Sequence, residues 1–249
     1  MDTSSTATLP NHDRHGVARS GLIVFIGAEK REFDGLLAHA RHPARIHWPL
    51  EFAHSAIWHG EPALFVANGP GSRLAGRAVD VVAERQSVAA LISVGFCGAL
   101  DPALRRGDIF VAAEVLGIGP ALLPEGAPKG YHTGILVSTD RVAITPAEKA
   151  DLRRTGASAV EMEAAAIAAR AKLEGIPFYC IRVVTDTADE ALPLDFNRMR
   201  DAEGRFSRTR ILAAACRKPG TLFPELLRLN SRCKSAGKAL GDFIADCRF

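Results

Sequence analysis

The sequence has no closely spaced pair of cysteines, and so gives no sign of a disulfide framework or a metal cluster. Its five cysteines are odd in number and scattered over 249 residues, at positions 97, 180, 216, 233 and 247. Such a set is typical of a protein from a reducing compartment. A chain of this length can bury a large core without such supports. We therefore expect no metal ion.

Long apolar runs are also absent. No run reaches the roughly 18 residues that read as a bilayer-spanning helix, and residues 1–20 are polar, without the apolar core of a secretory signal. We expect residues 1–20 to form a disordered tail and the protein to be cytoplasmic.

A strong excess of one charge is missing from the chain as a whole but present at its end. The net charge of +3 is too small to indicate nucleic-acid binding. From residue 196 onward, however, 12 Lys and Arg stand against 5 Asp and Glu. A solvated helix face is the simpler interpretation of this basic segment, and attraction to an anionic surface or membrane is the alternative. We interpret the segment from about residue 195 as a basic helical extension of one domain covering residues 21–249.

Short apolar runs separated by stretches of helical periodicity dominate residues 21–190. We predict strands at residues 21–27, 63–67, 89–95, 108–112 and 178–184, and helices within residues 32–40, 74–86 and 160–174. Continuously apolar strands that alternate with helices predict an α/β fold whose central sheet is mostly parallel and covered on both faces. Ligands of such sheets bind at the carboxyl ends of the strands, where the polar motifs fall.

Two of these strands lead into glycine-containing segments, at residues 68–72 and 94–100. Their glycines, Gly71 and Gly95 among them, would let the backbone approach a ligand closely. A dinucleotide fingerprint would need a third glycine near Leu74, which is absent, so NAD binding is not expected. Each segment taken alone could also be a plain turn.

Four acidic residues stand beside apolar segments. Glu161 and Glu163 open an alanine-rich stretch, and on a helix they would point about 200° apart, so that one could face a pocket. Asp186 ends an apolar strand, where burial disfavours the ionised form of a carboxyl and suits a general acid. Glu32 begins the first helix. Helix-dipole stabilisation, capping and ordinary helix-start usage are the structural alternatives for these acids.

Taken in order, these segments resemble the purine nucleoside phosphorylase/nucleosidase superfamily, over roughly residues 21–190. The most specific motifs are Val-Glu-Met-Glu-Ala at residues 160–164 and Arg-Val-Val-Thr-Asp-Thr-Ala-Asp at residues 182–189. The branch they resemble most is the methylthioadenosine/S-adenosylhomocysteine nucleosidases. The resemblance implies a three-layer α/β/α fold with a mixed, mostly parallel sheet. It further implies removal of adenine from a ribosyl group through an oxocarbenium-like transition state, no metal or organic cofactor, and a homo-oligomer.

By matched position, the resemblance also implies a role for each site residue. Asp186 would protonate purine N7. Glu163 would bind the ribose 2′- and 3′-hydroxyls, with Met162 packing against the sugar. Glu32 would activate water, and Arg182 would position that water or phosphate. The remaining candidates for substrate binding are Thr185 beside the catalytic Asp, the backbone around Gly71, Gly95 and Phe96, and Val142 and Ala143 near the base.

One departure from the family pattern concerns the nucleophile. Nucleosidases have a serine at the position of Phe96, and hexameric phosphorylases have that serine plus an arginine at the position of Ser93. Because both phosphate-binding side chains of that phosphorylase class are missing, hydrolysis is favoured. Phosphorolysis, with phosphate as co-substrate, and a non-catalytic nucleoside-binding protein remain the alternatives.

The other departure concerns the 5′ side of the ribose. Residues 115–135 are short and rich in Gly and Pro where the relatives have a longer loop, and the C-terminal tail is similar to that of hopanoid-associated nucleosidases/phosphorylases. Those proteins remove adenine from adenosylhopane, a triterpenoid lipid. The similarity implies a lipid-linked substrate and peripheral membrane contact through the basic tail.

Overall fold

The computed structural model describes residues 21–217 and 219–249; the tail expected at residues 1–20 lies outside the described residues. The strands are β1 Leu22–Gly27, β2 Arg41–Arg45, β3 Phe52–Trp58, β4 Glu61–Ala67, β5 Val88–Ala99, β6 Ile109–Val115, β7 Gly119–Pro120, β8 His132–Ser138, β9 Ala159–Glu161 and β10 Phe178–Asp186. The helices are α1 Asp34–His39, α2 Ser72–Ala83, α3 Pro146–Arg153, α4 Ala164–Glu174, α5 Arg208–Arg217 and α6 Pro219–Ala245.

All ten described strands belong to one mixed sheet, in the order β10-β6-β8-β9-β5-β1-β4-β3-β2, with β7 on β6. Strand β10 also pairs with β5, so five strands close into a small barrel at one end of the sheet. The predicted α/β class is confirmed. Strands β4, β1, β5 and β10 run parallel to one another, and these are four of the five strands predicted from apolar runs. Antiparallel pairings arise where β2, β3, β7, β9 and β6 join them.

Helices cover both faces of the sheet. On one face, α2 and α4 pack on a core that includes Val79, Val82 and Ile167. On the other face, α1 and α6 bury Leu36 and Leu240 against the aromatic side chains of β1 and β4. This is the three-layer α/β/α arrangement expected from the motifs. Within the described ranges, no helix is long and apolar enough to cross a membrane.

Helix α6 belongs to the basic C-terminal segment, but its second half packs against the core. The extension predicted to be helical contains α5 and one long helix, α6, which runs from Pro219 to Ala245. Its second half crosses α1 closely, since a Cβ added at Gly35 would overlap the carbonyl oxygen of Gly237. The end of the basic segment is therefore part of the core.

The parallel strands bring the predicted motifs to one edge of the sheet. In the register between β10 and β5, Arg182 lies beside Gly95 and Asp186 beside Gly98. Strand β9 pairs with both β5 and β8 and places Glu161 beside Ser138. The carboxyl ends of β1, β4, β5 and β10 thus meet the turn that begins α4.

Candidate active site

A cavity of about 590 Å³ opens at this edge of the sheet. Its inner wall holds most of the predicted site residues: Glu32 after β1, Phe96 in β5, Thr185 and Asp186 at the end of β10, Met162 and Glu163 before α4, and Val142 and Ala143 after β8. Gly71, Gly95 and Arg182 do not line the cavity. They contact residues that do: Gly71 contacts Glu163, Gly95 lies against Glu32, and Arg182 pairs with Glu161.

Glu161, the first acid of the Glu-Met-Glu segment, supports the start of helix α4. The prediction that Glu161 and Glu163 lie on a helix is wrong: Glu161 ends strand β9, and α4 begins only at Ala164. The strand forms because β5 and β8 pair with it, a partnership that local sequence does not reveal. The buried Glu161 carboxylate accepts hydrogen bonds from the backbone N–H groups of Glu163 and Ala164, at 3.0 Å and 2.9 Å, and from the Ser138 hydroxyl. It therefore holds the first turn of α4 in place.

Arg182 completes this support from outside the cavity. Its side chain is about 2% exposed, and Nη2 donates to Glu161 Oε2 at 2.6 Å and to Ser93 Oγ at 2.7 Å. Burial raises the pKa of Glu161, but the charge and hydrogen bonds of Arg182 outweigh it and hold that pKa below its usual range. Arg182 does not line the cavity, and its expected role in positioning water or phosphate stays a prediction.

Glu163 faces the cavity from the turn after β9. Its Oε1 accepts a hydrogen bond of 2.8 Å from the backbone N–H of Gly71, which begins α2 with φ 97°, a conformation that favours glycine. Burial raises the pKa of Glu163 to about 8, with the negative charges of Glu161 and Glu32 adding to the effect. The Gly71 segment therefore orients the carboxyl group of Glu163, and Met162 lines the wall beside it.

Glu32 is held by backbone N–H groups on the opposite wall. Its Oε2 accepts from Ala28 at 2.6 Å and Glu29 at 3.0 Å, and its Oε1 accepts from Phe96 at 3.3 Å. Gly95 makes room for this carboxyl group, since a Cβ added there would lie 2.6 Å from Glu32 Oε1. Burial raises the pKa of Glu32, and the backbone hydrogen bonds partly oppose the rise. A carboxyl group so placed can accept a proton in the cavity.

Phe96 contacts Glu32 through its backbone and lines the cavity with its side chain. Its N–H contacts the carboxylate, while its partly buried ring lines the cavity with the Arg31 guanidinium 5.9 Å from the ring centroid. The side chain places an apolar surface where the family has a serine hydroxyl. The other departure, Ser93, is fully buried against Arg182 and does not line the cavity.

Asp186 is fixed at both carboxyl oxygens. Oδ1 accepts from the Thr185 hydroxyl at 2.8 Å, and Oδ2 accepts from Lys149 Nζ at 2.6 Å. Sequence reasoning missed Lys149, which lies on the short and mostly exposed helix α3 and looks like a solvated surface lysine. Asp186 was expected at the end of an apolar strand, and the structure adds a buried cation beside it. No local signal distinguishes Lys149 from its exposed neighbours.

Val142 and Ala143 lie on the segment that follows β8. The Asn197 side chain clamps Val142, accepting from its N–H at 2.8 Å and donating to its carbonyl oxygen at 3.0 Å. The N–H and C=O of Ala143 have no hydrogen-bond partner among the described residues. Ala143 itself lines the cavity.

Residues 22–120 and 121–215 match the family model of the phosphorylase superfamily. The chain belongs to the phosphorylase superfamily. This confirms the resemblance that the sequence motifs carry at the level of the superfamily.

The chain is similar to several nucleosidases in sequence and in structure. The chain is 26% identical over 186 residues to the 5′-methylthioadenosine/S-adenosylhomocysteine nucleosidase of Tolumonas auensis, an alignment that covers 62% of the chain and 81% of the relative. It is 26% identical over 213 residues to that of Chromohalobacter salexigens, covering 70% and 88%. The S. pneumoniae nucleosidase structure with a transition-state inhibitor has a TM-score of 0.66 at 17% identity, covering 90% of the chain and 96% of the neighbour. Futalosine hydrolase of Helicobacter pylori has a TM-score of 0.62 at 17% identity, covering 90% and 95%. The structural matches establish the superfamily's fold for this chain.

The outer part of the cavity differs in character from the inner part. Its wall comes from the C-terminal segment, with α5 and the first half of α6, and is largely apolar: Leu192, Phe196, Phe206, Ile211, Leu226 and Leu229. Arg208 and Asn230 are the polar members of this wall. In this superfamily member, the basic tail therefore contributes to the site itself. Among the described residues, no group of three or more His, Cys, Asp or Glu side chains could hold a metal ion.

Proposed function

We propose that the protein hydrolyses the N-glycosidic bond of an adenosine-type nucleoside and releases adenine. The observation that carries the proposal is the convergence of Glu32, Glu163 and Asp186 on one cavity, each held by a different set of partners. The names of the curated relatives, 5′-methylthioadenosine/S-adenosylhomocysteine nucleosidases, support the same reaction class.

The three acids divide the reaction between them. Asp186 gives a proton to N7 of the base as the C1′–N9 bond breaks, and the electron pair of that bond leaves with adenine. Water then forms a bond to C1′ and loses a proton to Glu32. Glu163 binds the 2′- and 3′-hydroxyls, while Met162 packs against the ribose. A general acid and a general base each contribute about 100-fold or more to such a reaction.

The wall around Glu32 favours water over phosphate as nucleophile. A phosphate beside the Glu32 carboxylate would face like charge, and Phe96 offers only a ring in place of a hydroxyl. Arg31 is the cation that could compensate on this wall, but its Nε pairs with Glu29 Oε2 at 2.6 Å. Neutral water needs no such compensation.

The test is an assay of adenine and the sugar product with and without phosphate. We expect adenine and a free ribosyl sugar in both arms, from one or more of adenosine, methylthioadenosine, S-adenosylhomocysteine and adenosylhopane. Asp186→Asn should lower the release about 100-fold or more. A ribosyl 1-phosphate that forms only with phosphate would instead establish a phosphorylase, and nucleoside binding without adenine release would establish a binding protein.

The apolar outer wall supports a lipid-linked substituent at the 5′ position, as in adenosylhopane. A wall of six apolar side chains gains free energy by covering an apolar group, at about 25 cal/mol for each Å² removed from water. Leu226→Asn should therefore lower kcat/KM for adenosylhopane at least about tenfold, while turnover of methylthioadenosine, which lacks the lipid group, changes little. Equal losses for both substrates would contradict the lipid assignment.

The outer surface of the same helices supports peripheral membrane contact. Leu212, Phe223 and Leu227 are each about half exposed or more, and α5 carries arginines and no acidic residue. Apolar side chains among cations suit an anionic lipid surface. We expect the protein to sediment with anionic vesicles and not with neutral ones, and the triple variant L212S/F223S/L227S to remain in solution. Adenine release in solution is the folding control, and unchanged sedimentation of the triple variant would refute the contact.

A homo-oligomer and a cytoplasmic location stay predictions from the resemblance and the composition. Sedimentation equilibrium of the full chain and cell fractionation test them.

A further inference from the structure

Lys149 is an ammonium group enclosed in protein. It is 0% exposed, and its Nζ donates to Asp186 Oδ2 at 2.6 Å, to the Thr187 carbonyl oxygen at 2.7 Å and to the Glu190 carbonyl oxygen at 2.9 Å. An ammonium group has three N–H donors, and each has an acceptor here. A buried cation persists only with such compensation, because its transfer out of water costs several kcal/mol.

We propose that Lys149 is a positioning residue that orients the Asp186 carboxyl group and stabilises the negative charge that forms on it when its proton passes to the leaving base. The inference deepens the proposed function and rests on its assignment of Asp186 as the proton donor. Lys149 itself contacts neither base nor sugar, since it does not line the cavity.

The hydrogen bonds of Asp186 explain how Lys149 orients its carboxyl group. Asp186 Oδ2 is held by Lys149 and Oδ1 by the Thr185 hydroxyl, so the plane of the carboxyl group cannot turn freely. The neighbouring strand leaves space for this arrangement, because a Cβ added at Gly98 would lie 2.9 Å from Asp186 Oδ2. The carboxyl group is therefore held in one orientation at the cavity wall.

The positive charge of Lys149 explains how it would assist proton transfer from Asp186. When Asp186 transfers its proton to N7, a neutral carboxyl becomes a carboxylate next to an existing cation, which lowers the free energy of the product of that step. Lys149 thus increases the rate of proton transfer, and removal of its charge should weaken this step and change its dependence on pH.

Other ionisable groups surround this pair, and none replaces Lys149. Glu190 is neutralised by Arg106 at 2.5 Å and Arg232 at 2.6 Å. The remaining groups near the pair are Cys97 of β5, Cys233 of α6 and the exposed Asp189. Burial raises the pKa of both thiols, so that neither adds a negative charge near neutral pH.

The test compares Lys149→Gln, which removes the charge, with Lys149→Arg, which keeps it, and with Lys234→Gln, an exposed lysine of α6, as matched control. For Lys149→Gln we expect kcat to fall at least about 100-fold with KM changed far less, and the alkaline limb of the kcat/KM profile to move to higher pH by about one unit or more. Lys149→Arg should keep the wild-type position of the limb, and Lys234→Gln should match the wild type. A folded Lys149→Gln variant with the wild-type limb and kcat would overturn the proposal, and so would a shifted limb in Lys149→Arg.

A second measurement does not depend on turnover. The side-chain ¹³Cγ of Asp186, assigned by its loss in Asp186→Asn, can be titrated by NMR in the wild type and in both Lys149 variants. The midpoint should rise in Lys149→Gln and stay near the wild-type value in Lys149→Arg; an unchanged midpoint in Lys149→Gln would overturn the proposal. If the wild type released no adenine, the proposed function would fail, while this titration would still decide whether Lys149 controls Asp186.

Discussion

Arg182 Nη2 lies 2.6 Å from Glu161 Oε2, and both side chains are about 2% exposed. Because Glu161 accepts the N–H of Glu163, the acid that faces the cavity depends on an ion pair behind it. The pair thus supports the turn that carries Glu163.

Removing the cation of this pair should destabilise the fold. Arg182→Met leaves the Glu161 carboxylate buried without its counter-charge, which typically costs about 3–5 kcal/mol. Urea unfolding measures the change. Arg154→Met is the control, since Arg154 pairs with Asp151 at the surface and such pairs contribute about 1 kcal/mol or less. A loss for Arg182→Met no larger than that of the control would contradict the supporting role.

Glu163 should make stability fall as pH rises. Its pKa is raised to about 8 by burial and by the neighbouring Glu161 and Glu32, whereas an unfolded Glu titrates near 4.3. Between these values the folded state binds one proton more than the unfolded state, so the free energy of unfolding declines by at most about 1.4 kcal/mol per pH unit from this group. Glu163→Gln should remove that decline, as chemical denaturation at pH 5, 6, 7 and 8 would reveal. The exposed Glu174→Gln should retain it, and parallel pH curves for wild type and Glu163→Gln would refute the assignment.

Gly95 should be needed for activity because Glu32 lies against it. In Gly95→Ala the new Cβ would lie 2.6 Å from Glu32 Oε1, and the φ of 149° adds strain. Displacing a catalytic group by about 1 Å can cost on the order of 100-fold in rate, and we expect a loss of that size in adenine release. Gly60→Ala controls for backbone strain, since Gly60 has φ 92° but no atom within 4 Å of the added Cβ. Equal activity of the two variants would argue against Glu32 as the base.

Asp186→Asn should lose both activity and stability. The amide has no proton to give to N7 at neutral pH, so kcat should fall about 100-fold or more, and Lys149 is left as a buried cation without its carboxylate. Adenine release and thermal unfolding of the same preparation measure the two effects. Asp189→Asn, three residues away on the exposed segment, should change neither. Asp186→Asn with normal melting and normal release would contradict both roles.

The sequence revealed the elements whose local pattern is sufficient to define them. Strands β1, β4, β5 and β10 are mostly buried and contain runs of apolar residues, which is why they could be recognised. Strand β2 is exposed along its whole length and carries Pro43, so its pattern is that of a loop. Strand β9 has three residues and exists because β5 and β8 pair with it. Pairing partners distant in sequence decide such strands.

The site was predictable to the same extent. Glu163, Asp186 and Glu32 stand in motifs next to apolar segments, and the structure brings them to one cavity. Lys149 and the apolar wall of α5 and α6 could not be predicted, because their surroundings come from tertiary packing and not from their own neighbours. Arg182 was identified as a site residue, but only the structure shows that Glu161 occupies its guanidinium.

The most direct test of the proposed reaction is hydrolysis of methylthioadenosine, or of adenosylhopane, in H₂¹⁸O with phosphate present. If water is the nucleophile, mass spectrometry should find one ¹⁸O in the ribosyl product, bonded to C1′, together with unlabelled adenine. A ribosyl 1-phosphate product without ¹⁸O would contradict the account.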